Sequence, residues 1–376
     1  MVSDETKNQN KGKCIVFTGG GSVGHVTVNL SLIPLFVEAG WQIHYIGSHT
    51  GIEKDLICGL GNATYHAIST GKLRRFFAVK NISDIFKVIA GCIESKRLIK
   101  VIRPDVIFSK GGYVAFPVVY GGAKNHVPII IHESDYTPGL ANRLSARYAD
   151  TICLTFDNEL HRKKSSIETI YVGPIVRPDI FSGSREQGME YCGFTSGKPV
   201  VLVVGGSLGS EHINKAVRAQ IDAMLADFQI IHICGKNNVD QSIVKKGYRQ
   251  FEYVKEEYPN FLAASDIVIS RAGSNAIFEF FALCKPMLLI PLDRGGRGDQ
   301  VENAGNFAQK GYARVLKDSD CIGNIFKETQ LVYDLRDNYI TAMKANSLRH
   351  DTLKRIFDII VDHSQVFQHN SASSRW

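Results

Sequence analysis

The feature that most constrains this chain is a device used twice: a continuous apolar strand that runs directly into a glycine-rich turn. Cys14–Phe17 leads into Thr18-Gly19-Gly20-Gly21-Ser22-Val23-Gly24, and Val200–Val204 leads into Gly205-Gly206-Ser207-Leu208-Gly209. Each opens a series of short apolar runs separated by amphipathic stretches. The first series continues with Ile43–Ile46, Val106–Phe108, Ile129–Ile131 and Ile152–Leu154, the second with Ile230–Cys234, Ile267–Ile269 and Met287–Ile290. Unbroken apolar strands are buried on both faces, and strands alternating with helices are βαβ units. The pattern therefore predicts an α/β chain of two doubly wound, Rossmann-like domains. Its 376 residues are ample for a core in each. The boundary is expected near Gly173-Pro174-Ile175-Val176-Arg177-Pro178, where two prolines stiffen a connector. The polar ends, 1–12 and 364–376, are expected to be disordered tails.

Several classes are disfavoured at once. Met1–Lys13 is polar and has no apolar core of signal-peptide length. The longest apolar runs are strand-length, short of the ~18 residues a membrane span needs. The eight cysteines lie at least 34 residues apart with no CxxC, so neither a disulfide framework nor a zinc site is expected.

The glycine-rich turns point to phosphate. Gly19, Gly21 and Gly24 form G-x-G-x-x-G directly after a strand, where backbone amides and a helix N-terminus attract anions. A dinucleotide enzyme needs an acidic residue at the end of the second strand, and the chain has Gly47-Ser48-His49 there instead. Gly197-Lys198 is followed by Pro199, so there is no Walker motif. A third glycine pair, in Lys110-Gly111-Gly112-Tyr113, follows another strand of the first series; two such loops in one sheet suit a diphosphate. His25 follows the first loop where a helix should begin. The helix dipole there disfavours the imidazolium, which makes His25 a candidate general base.

Other polar residues gather after apolar strands. His132-Glu133 reads either as a buried structural pair or as a substrate contact. Arg271-Ala272-Gly273-Ser274-Asn275 resembles another strand-to-helix turn, and Glu279 beyond it suits two ribose hydroxyls. Arg297-Gly298-Asp299-Gln300 follows Met287–Ile290. Asp318-Ser319-Asp320 matches the carboxylate pair many glycosyltransferases use for a metal, but no strand leads into it. It is read as a solvated loop, and no metal or other cofactor is expected.

Charge has an address. The chain carries 44 Lys+Arg against 37 Asp+Glu, a net +7, and residues 71–103 alone hold nine basic against two acidic side chains. Ile82, Ile85, Phe86, Ile89 and Ile93 recur there at helical spacing and are expected to face the core mostly. Leu73, Phe76 and Phe77 precede them among Lys72, Arg74, Arg75 and Lys80. A hydrophobic loop ringed by cations suits an anionic membrane surface. No helix-turn-helix, zinc or aromatic RNA-binding signature points to nucleic acid.

Taken in order, seven stretches resemble the MurG family of bacterial peptidoglycan glycosyltransferases over roughly residues 13–363. They are Thr18–Val26, Ser109–Val114, His132-Glu133 with Pro138–Asn142, Gly173–Arg177, Gly205–Gly209, Ser270–Glu279, and Gly298–Gln300 with Asn303-Ala304. The resemblance implies a GT-B fold, two Rossmann-like domains facing across a cleft with the C-terminal helix crossing back to the first. The N-terminal acceptor and membrane-facing domain would be 13–176 plus 346–363, and the UDP-sugar domain 177–345. It implies inverting transfer of N-acetylglucosamine from UDP-N-acetylglucosamine to the 4-hydroxyl of undecaprenyl-diphospho-muramoylpentapeptide, peripherally on the cytoplasmic face of the cell membrane. Carried over by position, Ser22, Val23, Gly24, Gly111, Gly112 and Tyr113 would receive the acceptor diphosphate, with His25 as base. Arg177 and Ser207 would meet the nucleotide sugar, Val254 the uracil, and Ser274, Asn275 and Ala276 the phosphates. Glu279 would hold the ribose, Gln300 the sugar hydroxyls, and Asp135 would stand where many members have an asparagine that touches the donor. Val23 replaces the usual Gly or Ala, Val28 a frequent proline, and Asp299 a second glutamine found in some members. The competing expectations are a UDP-N-acetylglucosamine 2-epimerase on the same fold, an NAD-dependent dehydrogenase, and a basic nucleic-acid-binding module.

Overall fold

The apolar runs become the central strands of two parallel sheets. A computed structural model describes residues 12–71, 80–158, 167–206, 209–293, 298–346 and 351–373. In the first sheet the strands are β1 (Cys14–Thr18), β2 (Gln42–Ser48), β3 (Thr64–Ile68), β4 (Val106–Ser109), β5 (Ile129–Glu133), β6 (Thr151–Leu154) and β7 (Glu168–Tyr171). In the second they are β8 (Val200–Val204), β9 (Gln229–Ile233), β10 (Tyr248–Phe251), β11 (Ile267–Ser270), β12 (Met287–Leu289) and β13 (Ala313–Val315). Among the described residues the orders are β3-β2-β1-β4-β5-β6-β7 and β10-β9-β8-β11-β12-β13. Both follow the doubly wound 3-2-1-4-5-6 order, which reverses between β1 and β4 and between β8 and β11.

Four strands, β3, β7, β10 and β13, had no counterpart among the expected apolar runs, and all four are sheet edges. An edge strand has a partner on one side only and here is partly solvated, so Glu168–Tyr171 and Tyr248–Phe251 carry Glu, Thr, Arg and Gln among their apolar residues. The central β1, β4, β5, β8 and β11 are buried at every position.

The two sheets share a register device. An aspartate immediately before one strand accepts from the first amide of its neighbour: Asp105 from Cys14, Asp150 from Ile129 and Asp266 from Val200, at 2.7, 2.7 and 2.8 Å. Asp105 and Asp266 occupy equivalent places in the two sheets, tying the central pair β1–β4 and its counterpart β8–β11.

The chain divides into two compact units. The first holds the chain to Ser134, Pro138–Ile175 and the C-terminal helix Thr352–Ser373; the second holds Asp135–Thr137 and the chain from Val176 to the Arg336–Lys344 helix. The break between Ile175 and Val176 lies inside the Gly173–Pro178 connector. In the first unit, one face of the sheet packs on the Thr27–Glu38 helix and on Ile356, Phe357 and Ile360 of the C-terminal helix. Phe36 meets Phe357 at 4.6 Å between ring centroids. Burying three such side chains contributes roughly 5–8 kcal/mol before entropy is subtracted, which holds the helix to this unit. That helix continues to Ser373, so the stretch from 364 is helical where a disordered tail was expected. Residues 1–11, the other expected tail, lie outside the described residues. The second unit packs one face of its sheet on Ile213, Val217, Ile325 and Val332 from flanking helices.

The Lys80–Ile102 helix corrects another expectation. Ile85, Phe86, Ile89 and Ile93 are exposed, Phe86 at 67 %. The buried face is Gly91, Ser95 and Ile99. Gly91 lies so close to the Ser69 carbonyl that any Cβ would overlap it. Small residues thus bring the helix down onto the sheet, and the apolar stripe points outward. Periodicity reveals that a helix has an apolar face but not which face meets the core. The stripe's Ile82 side chain and the Leu73–Phe77 loop lie outside what is described.

Candidate functional site

In each unit the glycine-rich turns sit where the strand order reverses, the position at which doubly wound sheets bind ligands. In the first unit the loop after β1 and the loop after β4 interlock. Gly20 N–H donates to the Gly111 carbonyl at 3.3 Å. A Cβ at Gly112 would overlap Gly20 O, and one at Gly21 would overlap the Tyr113 ring. Gly111 and Gly112 have φ of 87° and 84°, the left-handed region that glycine enters without strain. The structure thus brings Ser22–Gly24 and Gly111–Tyr113 together. Val23 is 40 % exposed, so its side chain stands toward solvent instead of filling the loop.

His25 does not open a helix as expected. It ends a 3-10 turn, Val23–His25, whose amide bonds back to Ser22 O at 3.1 Å, and the α-helix begins at Thr27. His25 therefore stands two residues before the first residue of that helix.

Beneath these loops lies a set of buried polar groups that the sequence reading either left open or missed. Tyr45 OH donates to Gly19 O at 2.6 Å, and Asn29 donates to Thr18 O and Tyr45 OH. Glu53, fully buried, accepts from the amide of Gly21 and from the amide and hydroxyl of Ser48. Lys110 is buried and donates to Ser134 Oγ. Glu133 accepts from Gly139 N–H and Asn142 Nδ2 at 3.1 and 2.8 Å, which identifies it as the organiser of that loop. His132 is buried; desolvation, then the nearby Lys110 cation, push it well below the ordinary histidine range, so it is neutral at pH 7.

In the second unit, Arg177 and Glu279 form an ion pair. Nε donates to Oε1 at 2.9 Å, and the guanidinium lies 5.8 Å over the Tyr258 ring. Burial raises the Glu279 carboxyl above its usual range, with Arg177 opposing. Glu279 belongs to the Ser274–Ala282 helix, whose N-terminus places Ser274, Asn275 and Ala276 in the first turn after β11. A Cβ at Gly273, the residue capping that helix, would meet nothing within 4 Å, and the same holds at Gly206 after β8. Ser207 lies outside the described residues. Gln300 sits in the first turn of the Asp299–Gln309 helix, and its Oε1 accepts from Leu292 N–H at 2.9 Å. Asn303 lies on the same helix. It is fully buried, donates to Asp135 Oδ1 and Ala272 O, and accepts from Tyr136 N–H. Asp135 is thereby held by a side-chain amide. Val254 follows β10, three residues past its end, beside the exposed Tyr253.

Asp318 is no solvated loop residue. Arg271 and His212 reach its Oδ1 at 2.6 and 3.0 Å. Burial works to raise that carboxyl, but the two bonded partners outweigh it and hold it below the usual range. Arg271 also donates to Ser210 Oγ at the start of the Glu211–Ala219 helix, so the cluster braces β11 against β8. Among the described residues no group of three or more His, Cys, Asp or Glu gathers to hold a metal ion.

Residues 15–154 match the glycosyltransferase family 28 N-terminal domain, and residues 200–356 match the family's C-terminal domain. A relative from Geobacillus kaustophilus is 48% identical over 357 residues, covering 94% of this chain and 99% of its own. One from Clostridium tetani is 49% identical over 351 residues, covering 93% and 97%. Both carry the name UDP-N-acetylglucosamine--N-acetylmuramyl-(pentapeptide) pyrophosphoryl-undecaprenol N-acetylglucosamine transferase. Among solved structures, MurG of Acinetobacter baumannii superposes with a TM-score of 0.75 at 20% identity, over 93% of this chain and 99% of that one.

Proposed function

This chain belongs to glycosyltransferase family 28 and within it to the MurG family, and on that premise we propose how its residues carry the reaction. The enzyme transfers N-acetylglucosamine from UDP-N-acetylglucosamine to the lipid-linked N-acetylmuramyl-pentapeptide, converting lipid I to lipid II in peptidoglycan synthesis. The observation that carries this is identity near one half over almost the full length of relatives with that activity.

In the proposed mechanism the muramyl 4-hydroxyl attacks the anomeric carbon of the donor sugar. His25 takes the hydroxyl proton as the new C–O bond forms. The bond from the anomeric carbon to the diphosphate breaks, its electron pair leaves with UDP, and configuration inverts. Charge develops on the departing diphosphate. The free amides at Ser274, Asn275 and Ala276 and the Arg177 guanidinium stabilise it, which is the kind of preorganised electrostatic support that carries most catalysis. The open space at Gly206 and Gly273 supports a phosphate there. Glu279 takes the ribose hydroxyls, and the Arg177 pair already holds its carboxylate in one orientation. Gln300 offers its amide Nε2 to the sugar, Oε1 being engaged by Leu292. Asp135, Val254 and Ser207 complete the donor contacts, and Ser22–Gly24 with Gly111–Tyr113 bind the acceptor diphosphate. The test is UDP release with and without the lipid-linked acceptor. Release only with acceptor, falling about 100-fold or more in His25→Ala, is expected; near-full turnover of that variant would overturn the base assignment.

The enzyme works on a lipid-anchored acceptor, and no helix among the described residues is long and apolar enough to cross a membrane. In this reading it docks peripherally on the anionic cytoplasmic face. Support comes from the outward stripe Ile85, Phe86, Ile89 and Ile93, flanked by exposed Lys87, Lys96, Arg97 and Lys100. Apolar side chains entering the headgroup boundary within a ring of cations are what such docking needs. Phe86→Ser with Ile89→Ser should weaken binding to phosphatidylglycerol vesicles about tenfold and leave UDP binding intact; unchanged vesicle binding would remove the stripe from the docking face.

A further inference from the structure

The loop that carries His25 is anchored by a carboxylate whose role the reaction has not yet accounted for. Glu53 belongs to the short Ile52–Cys58 helix that follows β2. Its side chain is fully buried. Oε2 accepts from Gly21 N–H at 3.1 Å, while Oε1 accepts from Ser48 N–H at 3.1 Å and from the Ser48 hydroxyl. Ser48 is the last residue of β2, and its carbonyl accepts from Tyr65 OH of β3 at 2.6 Å. The carboxylate therefore ties the glycine loop after β1 to the ends of β2 and β3. The fit is close: a Cβ at Gly20 or at Gly51 would overlap the Glu53 carboxyl group.

A buried carboxylate under a loop meant for an anionic diphosphate is costly unless its charge is spent on donors that the protein itself supplies. Three donors do so here, and their bonds to an ionised acceptor are of the stronger, charge-assisted kind. One of the three is the Gly21 amide, an obvious candidate for a phosphate contact in a G-x-G-x-x-G turn. With Gly21 N–H turned inward to Glu53 and Gly20 N–H given to Gly111 O, these two amides of the turn point away from a phosphate. The turn then has one conformation, and His25, four residues beyond Gly21, starts from a fixed backbone.

We propose that Glu53 is a positioning residue for sugar transfer: its carboxylate holds the Gly19–Gly24 loop through Gly21 N–H and Ser48, and so sets the place of His25. This rests on the reaction proposed above. Because Glu53 acts on the loop of the first unit, its loss should leave the nucleotide-binding residues of the second untouched. Misplacing a catalytic group by about an ångström can cost on the order of 100-fold in rate.

The experiment is full-length Glu53→Gln, isosteric but neutral, whose amide NH2 only donates, so that its one remaining oxygen cannot accept from both Gly21 and Ser48. Transfer kinetics with lipid I are measured beside UDP binding by calorimetry and amide exchange of Gly21 and Ser48 by NMR. The expected result is kcat lower by about 10- to 100-fold, KM for UDP-N-acetylglucosamine and Kd for UDP within twofold, and faster exchange at both amides. A kcat within twofold of the parent, or an equal loss of UDP affinity, would overturn the proposal. Should Glu53→Gln fail to fold, Ser48→Ala removes only the hydroxyl bond and should lower kcat about threefold with the same unchanged Kd; an unchanged kcat would then overturn it. If the parent enzyme transfers no sugar to lipid I, the functional reading fails, and the anchor is judged on the two exchange rates alone.

Discussion

The two glycine-rich turns look alike as sequence and do different work. After β1, the glycines are consumed by the protein: Gly20 and Gly21 press against Gly112, Tyr113 and Glu53, and the Gly20 and Gly21 amides are bonded internally. In the second unit the turn after β8 is mixed: Gly205 and Gly209 pack against Ser210 and the Cys234 carbonyl, while Gly206 between them, like Gly273 after β11, has open space where a Cβ would stand. The first loop uses missing side chains to let two loops and a carboxylate pack at close range. At Gly206 and at Gly273, the latter capping a helix N-terminus, the second unit also leaves room for something the protein does not supply. A glycine motif therefore reports that a backbone must come close to something, and the something is the protein itself at Gly112, Gly205 and Gly209 and a candidate ligand at Gly206 and Gly273.

Alanine substitutions break the comparison most sharply. Gly112→Ala must both hold φ near 84° and displace Gly20 O, so it should destabilise the first unit by about 2–4 kcal/mol, read from denaturant unfolding. Gly273→Ala has φ −69° and free space, so the reduced freedom of the unfolded chain offsets the poorer N-cap and stability should change by less than about 1 kcal/mol. Its UDP affinity should nevertheless fall about tenfold in calorimetry. Equal stability losses in the two variants would erase the distinction between the loops.

A smaller effect sets the units side by side in acid. His232, a buried residue of β9, bonds to Tyr248 OH and Asn214 Oδ1, and burial, then Arg218, lower its pKa from 6.5 to about 3. A depressed base stabilises the fold above its unfolded value, and that stability is lost as pH falls from 6.5 toward 3. His132 in the first unit titrates in the same sense. Thermal melts should thus show both units weakening below pH 6.5, and His232→Gln should flatten the curve for the second unit only. The smallest expected change is at Val23: because its side chain faces solvent, Val23→Gly should alter transfer by less than about twofold.

How much of this was readable from residues alone follows from burial. The central strands announced themselves because both of their faces are dry, so every position is apolar. The edges β3, β7, β10 and β13 did not, because a half-solvated strand tolerates Glu, Thr, Arg and Gln. Of the candidate site, the glycine loops and Glu279 were found from their place after strands, and Arg177 from the family resemblance alone. Glu53, Tyr45, Asn29 and the bracing of Asp318 were missed. Glu53 is one of two acidic residues in an ordinary short helix, and no spacing rule links it to Gly21, 32 residues away. The one available signal was Glu53 lying just past the end of the second strand, where an acidic residue was sought only as a ribose ligand.

The sequence by itself determined the βαβ alternation, the two series and the positions of the turns, because strand burial and glycine content are local properties written in consecutive residues. The tertiary structure decided which face of the Lys80–Ile102 helix looks outward, which amides of the first turn are already bonded, and that Arg177 and Glu279 meet. These depend on groups distant along the chain, and on small residues such as Gly91 that let one element settle against another. Contacts of that kind follow from how the elements pack, and no window of sequence contains them.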